Sequence, residues 1–413
     1  MNSETTLSRP GEDSLKSTRP QVRALPKLGL ICDFLEEGWP SMDLFGDMLL
    51  QCFLAEHAST IQVQQLRPAL HYRFSKIPGL SRAGVSRNAD RLLNRFHDYP
   101  VWLGKRAAGF DLFHLVDHSY SQLLLDLPPG RGVVTCHDLD TFNCVLEPES
   151  DPRPRWFRAM AQRSLNGFLQ AAQVICVSDF TRANVLRHGL FPPERLTVIH
   201  PGADPVFFSH PDPSAEASSV LGSAGPNYLL HVGSTIRRKR IDWLLRIFAI
   251  VARVFPGIRL VRVGGPLTPE QALLASQLGL DDKIVHAPRL TKAQVAGLYR
   301  KAALVLQTSD AEGFGLPVIE ALACGCPVVA SDLAPLREAG GSAAEFCPLG
   351  EMEAWSETVI RLLRERESSP DAWELRRGQA RRHASGYTWT ENAKQTISVY
   401  ERVLNGGGAQ RRP

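Results

Sequence analysis

The 413-residue chain carries 47 Lys and Arg against 43 Asp and Glu, a formal net charge of +4, with 44% hydrophobic and 22% charged residues. That length exceeds one ordinary core and calls for two domains, at most three, in a chain of globular composition. So small a basic excess argues against nucleic acid as the main partner, and no run approaches the roughly 18 apolar residues of a membrane span.

Residues 1–22, opening "MNSETTLSRPGEDSLKSTRP", are polar without an apolar core. They predict a disordered tail, and neither a signal peptide nor an anchor. The runs "KLGLIC", "STIQVQQL", "FDLFHLVD", "RGVVTCHD", "QVICVSD" and "LTVIH" then alternate with segments of helical spacing such as Ala89 to Phe96. Strand–helix–strand repetition predicts a parallel sheet covered on both faces, here over residues 23–205. The Pro-, Ser-, Gly- and Ala-rich stretch from His200 to Asn227 predicts a linker.

The alternation restarts with "YLLHVGS", "RLVRVGG", "KIVHAP", "ALVLQTS" and "PVVASD", defining a second domain over 206–387. Between Arg238 and Arg253, apolar residues at Ile241, Leu244, Leu245, Phe248, Val251 and Ala252 follow the helical period. Residues 388–405 form a closing helix with Ala393, Ile397, Tyr400 and Leu404 on one side, and 406–413 a loose end. The fold class is α/β, with two doubly wound Rossmann-like domains facing an interdomain cleft. Eight cysteines are scattered, with Cys324-Gly-Cys326 the one close pair. They predict free buried thiols in a reducing, cytoplasmic compartment.

Ligands of such sheets bind beyond the carboxyl ends of the strands. The residues to inspect are therefore Asp33 to Asp43, His137 and Asp138, Ser178, Gly233 to Arg240, Gly264 and Gly265, and Ser309 to Gly315. In "DAEGFGLPVIEALACGCPVVAS", Pro317 suits a helix start and Gly325 its end. Gly313 and Gly315 let backbone approach a ligand, and the amide groups there favour phosphate. Glu320, one turn inside, suits the two hydroxyls of a ribose, and Glu312 a second polyol. The plain alternative is a surface Glu, a capping Glu and an ordinary turn. In "HVGSTIRRKRIDWLL", Arg237, Arg238, Lys239 and Arg240 crowd a helix start after Gly233. The helix dipole disfavours cations there by ~0.3–1 kcal/mol each; a diphosphate would reverse that sign.

With these elements, and with "VTCHDLD", "VICVSDFTR", "IHPGADPVFF" and "YTWTENAKQTISVYERVL", the chain resembles the retaining glycosyltransferases of the GT-B fold, family four, also called group 1. The resemblance covers most of Lys27 to Leu404. It implies that Glu320 holds the nucleotide ribose and that Glu312 contacts the donor sugar. It also implies that Gly313, Phe314, Gly315 and Leu316 meet sugar and phosphates through their backbone. Arg238 and Lys239 would form the family's diphosphate pair. Where the family often has Asn, this chain has Arg240. The final helix would cross back onto the first domain, and His137 would face the donor across the cleft and shape the reaction face.

Asp138-Leu139-Asp140 matches a loose metal-binding Asp-x-Asp pattern, but three residues without a second ligand cluster predict no metal and no cofactor. In "EEGWPSMD", Gly38 permits close approach and Trp39 could stack on an acceptor sugar; a packed Trp39 with a capping Ser41 is the alternative. Arg87, Arg91 and Arg95 form a helical stripe, either solvated or facing an anionic headgroup at the inner face of the membrane. The expected function is transfer of a sugar from a nucleotide diphosphate sugar to a carbohydrate or lipid-linked acceptor hydroxyl, with retention, in polysaccharide or glycoconjugate assembly. An epimerase or phosphorylase on the same fold and a non-catalytic sugar-nucleotide-binding module are the rivals.

Overall fold

The computed structural model of the chain describes residues 24–77, 84–210, 222, 225, 227–287 and 290–406. The expected disordered tail, all but residue 406 of the loose end, and most of the linker beyond His210 lie outside them. The near part of the linker stretch is packed: Pro205–Phe208 forms a helical turn capped by Asp204, and Phe207 is buried.

Two six-stranded sheets form the frame, and every strand pair in them is parallel. The first contains β1 (Lys27–Ile31), β2 (Gln62–Leu66), β3 (Leu112–Leu115), β4 (Gly132–Cys136), β5 (Gln173–Cys176) and β6 (Leu196–Val198), in the order β2-β1-β3-β4-β5-β6. The second contains β7 (Tyr228–Val232), β8 (Arg259–Val263), β9 (Ile284–Ala287), β10 (Leu304–Gln307), β11 (Val328–Ser331) and β12 (Ala344–Cys347). Its order, β12-β11-β10-β7-β8-β9, reads 3-2-1-4-5-6 from the β9 edge when the strands are counted from β7. Strand order therefore reverses between β1 and β3 in one sheet and between β7 and β10 in the other.

The central strands β3, β4, β10 and β11 are buried along their whole length. Helices cover both faces, which is why their sequences are largely apolar runs instead of alternating ones. Helix Ile241–Val254 buries eight side chains against the second sheet. It begins three residues later than the sequence pattern suggests. Arg237–Lys239 form a tight turn and Arg240 adopts a left-handed conformation with φ 47°. The segment expected to be helical around Ala89 to Phe96 is a helix over Gly84–Leu93 that widens into a π-type turn over Asn94–Asp98.

The closing helix spans Trp389–Gly406 and packs on the first domain. Trp389 stands edge-on to Phe45 at 5.1 Å, and Tyr400 lies 5.8 Å from Phe53. Inside that interface the Tyr400 hydroxyl meets Nδ1 of the buried His114 at 2.6 Å. All eight cysteines are free and buried.

Candidate active site

The reversal in the second sheet sets the ends of β7 and β10 side by side, the kind of crevice in which α/β sheets hold ligands. The segments that follow these strands are stitched together. Thr308 Oγ1 donates to the carbonyls of Lys239 and Arg240 at 3.1 and 3.3 Å, and Asp310 N–H to the carbonyl of Arg238 at 2.9 Å.

Glu312 is the hub of this crevice. Its Oε1 accepts from Lys239 Nζ at 2.5 Å, Ser309 Oγ at 2.7 Å and Gln307 Nε2 at 2.8 Å. Arg238 Nη1 lies 3.4 Å from Oε2 and donates to the Ala311 carbonyl at 3.1 Å. The Glu312 side chain is only 7% exposed. Burial alone would raise its pKa, yet the Lys239 ammonium and the converging hydrogen bonds hold it below the ordinary glutamate range. One carboxylate thus faces two cations and leaves a surplus positive charge for an anion. Oε2, with its single long contact, is the oxygen with capacity to accept from a further donor.

The turn after Glu312 is shaped by what glycine lacks. A Cβ on Gly313 would lie 2.2 Å from the His137 carbonyl oxygen, and Gly315 has φ 116°. Only glycine fits both demands. Among the described residues, the amide hydrogens of Gly313, Phe314 and Gly315 have no acceptor. They precede helix Leu316–Ala323, whose end is closed by Gly325 at φ 71°. The Phe314 side chain is buried, stacked on His200 at 5.4 Å, so its backbone is the part left for a ligand.

Glu320 lies one turn inside that helix, half-buried, accepting from the Tyr299 hydroxyl at 3.1 Å. Burial pushes its carboxyl up to about 7, against the pull of that hydrogen bond. It sits on the helix that follows the Glu312 turn and, among the described residues, has no hydrogen bond to the cluster around Glu312. Gly233 stands at the opposite wall, its N–H donating to the Val263 carbonyl at 2.9 Å.

Across the cleft stands the carboxyl edge of the first sheet. Ser178 Oγ donates to the Gly313 carbonyl at 2.7 Å, and Thr181 Oγ1 to the His137 carbonyl at 3.3 Å. Glu338 of the second domain accepts from Asp179 N–H at 2.8 and 3.0 Å, and its carboxylate lies 2.6 Å from His200 Nε2. The domains are therefore in contact over the donor-side turn. His137 Nε2 lies 2.8 Å from the Val116 carbonyl; a carbonyl only accepts, so Nε2 carries the hydrogen and Nδ1 is left as the acceptor. Burial holds the ring pKa below its ordinary value, so the ring is neutral at pH 7.

Asp138 is occupied locally: Oδ1 accepts the Asp140 N–H at 3.0 Å and lies 3.5 Å from His118 Nε2. Among the described residues no group of three or more His, Cys, Asp or Glu is arranged to hold a metal ion. Gly38 is left-handed at φ 69° and Trp39 is 52% exposed, its Nε1 donating to Glu37 Oε2 at 3.2 Å. The packed-Trp alternative is wrong, and Ser41 does not cap: helix Pro40–Glu56 starts after Trp39 with no side-chain cap.

The arginine stripe does not survive as a single face. Arg87 is exposed, while Arg91 pairs with Glu37 at 3.3 Å and Arg95 donates to the Ser119 carbonyl with its guanidinium over the Tyr120 ring. No helix among the described residues is long and apolar enough to cross a membrane. Sequence reasoning missed the tethering roles of Gln307, Ser309 and Ser178. Position beyond a strand end had marked Ser178 and Ser309 for inspection, and polarity in an otherwise apolar run, as in "ALVLQTS", was the signal for Gln307.

Residues 55–207 match the model of Glycosyltransferase Family 4, and residues 215–377 that of Glycosyl transferases group 1. A D-inositol 3-phosphate glycosyltransferase of Mycobacteroides abscessus is 32% identical over 234 residues, 54% of this chain and 49% of that protein. The O-antigen chain mannosyltransferase B of Escherichia coli is 28% identical over 290 residues, 66% of this chain and 70% of its own. The match thus spans about half the length of the first of these relatives. Among solved structures, sucrose-phosphate synthase of Thermosynechococcus elongatus superposes with a TM-score of 0.68 at 20% identity, covering 92% of this chain and 100% of that one. Anabaena HepE, crystallised with UDP and glucose, gives 0.66 at 18% identity, covering 90% and 98%. Its paired parallel sheets, the glycine turn between Glu312 and Glu320, and two successive family matches place this chain among the group 1 glycosyltransferases of GT-B fold.

Proposed function

We propose that the chain transfers a sugar from a nucleoside diphosphate sugar to an acceptor hydroxyl, with retention of anomeric configuration. The observation that carries this is the Glu312 hub: a buried carboxylate facing Arg238 and Lys239, at the sheet's switch point, beside unpaired amide hydrogens and under the first domain. Arg238, Lys239 and those amides receive the diphosphate, and their attraction grows as charge builds on the departing group. Glu312, held by three donors, accepts from sugar hydroxyls through Oε2. Glu320 accepts from the ribose, and His137 Nδ1 faces the sugar from the other side.

The acceptor comes in over the first domain, with Gly38 and Trp39 at its entry, and attacks on the side from which the diphosphate leaves. The departing oxygen takes the acceptor proton. Positive charge for the leaving group comes from side chains of the chain itself, so no metal is required. A carbohydrate or lipid-linked acceptor in glycoconjugate assembly fits the names of the relatives, O-antigen mannosyltransferase among them. UDP, which HepE holds, is the first donor nucleotide to test.

Incubating the full chain with UDP- and GDP-sugars and a panel of acceptors, with chelator present, should give a glycoside whose anomeric proton coupling matches the donor. Inverted product would remove retention, and sugar-nucleotide turnover without acceptor would favour an epimerase.

A further inference from the structure

Beneath the Gly233–Arg240 segment lies a basic group that the donor site as described does not use. Arg262 on β8 is 1% exposed, and its Nε and Nη1 have no partner among the described residues. Its one hydrogen bond runs from Nη2 to the Gly233 carbonyl at 3.4 Å. On the neighbouring strand, His231 is fully buried with both ring nitrogens unpartnered, and the register pairs His231 with Arg262 and Arg262 with His286. His231 and Lys239 converge on the same residue as Arg262. A Cβ placed on Gly233 would sit 3.2 Å from His231 Cε1 and 3.8 Å from Lys239 Cε.

The titratable groups facing Arg262 are His231 and His286, with Lys239 on the far side of His231, and among the described residues no carboxylate pairs with it. Burial pulls the guanidinium down to about 10, a value at which it stays charged at neutral pH. A buried charge without a counter-ion is expensive, and proteins rarely keep one. Among the described residues there are no cis peptides, and in a trans peptide C=O and N–H point in opposite directions. Holding the Gly233 carbonyl toward Arg262 therefore turns the Ser234 N–H away from it, and that N–H has no acceptor among the described residues.

We propose that Arg262 is a positioning residue for the diphosphate of the donor: it orients the Gly233–Ser234 peptide as a phosphate donor and adds uncompensated positive charge from below. This rests on the donor reading given above. It recognises the diphosphate, and neither base nor sugar.

The test measures Kd by calorimetry for UDP, UMP, uridine and inorganic pyrophosphate, with the GDP series alongside, on the full chain and on Arg262→Met and Arg262→Lys. Methionine replaces the buried charge with an apolar chain of similar length. It should weaken nucleoside diphosphate and pyrophosphate binding about tenfold or more, the scale of one charge-assisted interaction. Nucleoside binding should stay within about twofold, the salt dependence of diphosphate binding should flatten, and the ligand-free protein should melt no lower than the parent. Lysine, which keeps the charge and can donate to the Gly233 carbonyl, should retain part of the diphosphate preference even if the methionine variant folds poorly. Equal loss for nucleoside and diphosphate, or no loss for either in a parent that binds both, overturns the role of Arg262. A parent that binds no nucleoside diphosphate overturns the donor reading itself.

Discussion

Replacing Glu320 by glutamine should make the empty protein more stable and its nucleotide complex weaker. The carboxyl is raised from 4.5 to about 7, chiefly by burial. In the unfolded chain it ionises near 4.5, so the folded state holds a proton that the unfolded state has already lost between those values. Stability is therefore undiminished below about pH 4.5, falls as pH rises toward 7, and stays reduced above it. The gap of about 2.5 units, at 1.36 kcal/mol each, amounts to about 3 kcal/mol. That figure is a ceiling, because a half-buried carboxyl keeps some water. Glutamine keeps the shape and an oxygen to accept from Tyr299, and carries no charge to desolvate. Chemical denaturation of ligand-free parent and variant should give nearly equal stability at about pH 4, and a variant more stable by ~2–3 kcal/mol at about pH 8.5. Ribonucleotide affinity should move the other way, by ~1.5–3 kcal/mol for a lost charge-assisted acceptor. A variant equally shifted at both pH values, or less stable at the higher one, would refute the reasoning.

Arg238→Ala and Lys239→Ala should each reduce turnover by about 10²-fold or more, the range for removing one preorganised donor to a developing charge, with circular dichroism unchanged; normal turnover in both would reject their role. Lys239→Ala should in addition cost ~1–3 kcal/mol of stability, since it leaves the buried Glu312 with one fewer donor. Gly313→Ala places a methyl 2.2 Å from the His137 carbonyl oxygen and should prop the domains apart. Small-angle scattering should then report a larger radius, and turnover should fall far more than nucleotide affinity.

Much of this was legible before any coordinates. Eleven of the twelve strands fall inside the strand-like runs, the central ones because parallel strands buried on both faces are largely apolar. β12 escaped notice: "AEFC" is four residues long with a charge in second place, at the sheet edge. The glycine turn was readable because its demands on backbone space leave a mark in composition. The partnership of Glu312 with Lys239 was not, since it depends on β7 and β10 being neighbours, a property of strand order that no local pattern encodes. Gln307, His231 and Arg262 were hidden for a related reason. Each sits inside a run whose apolar neighbours define it as a strand, and a polar residue there looks like noise until its burial is known. For Trp39 the sequence left stacking on an acceptor and packing beside the helix start both open, and its solvent exposure removes the second.

The helix that closes the first domain also sets the timetable of its assembly. Phe45, Phe53 and His114 are synthesised early, but Trp389 and Tyr400, which complete their packing, follow much later; His114 and Tyr400 are 286 residues apart. Domains usually fold as units while the chain grows, the N-terminal one first. Here the first unit must wait with an open seam until helix Trp389–Gly406 has been made, so a nascent chain stopped before Trp389 should be a client for chaperones, and truncation within that helix should damage the first domain.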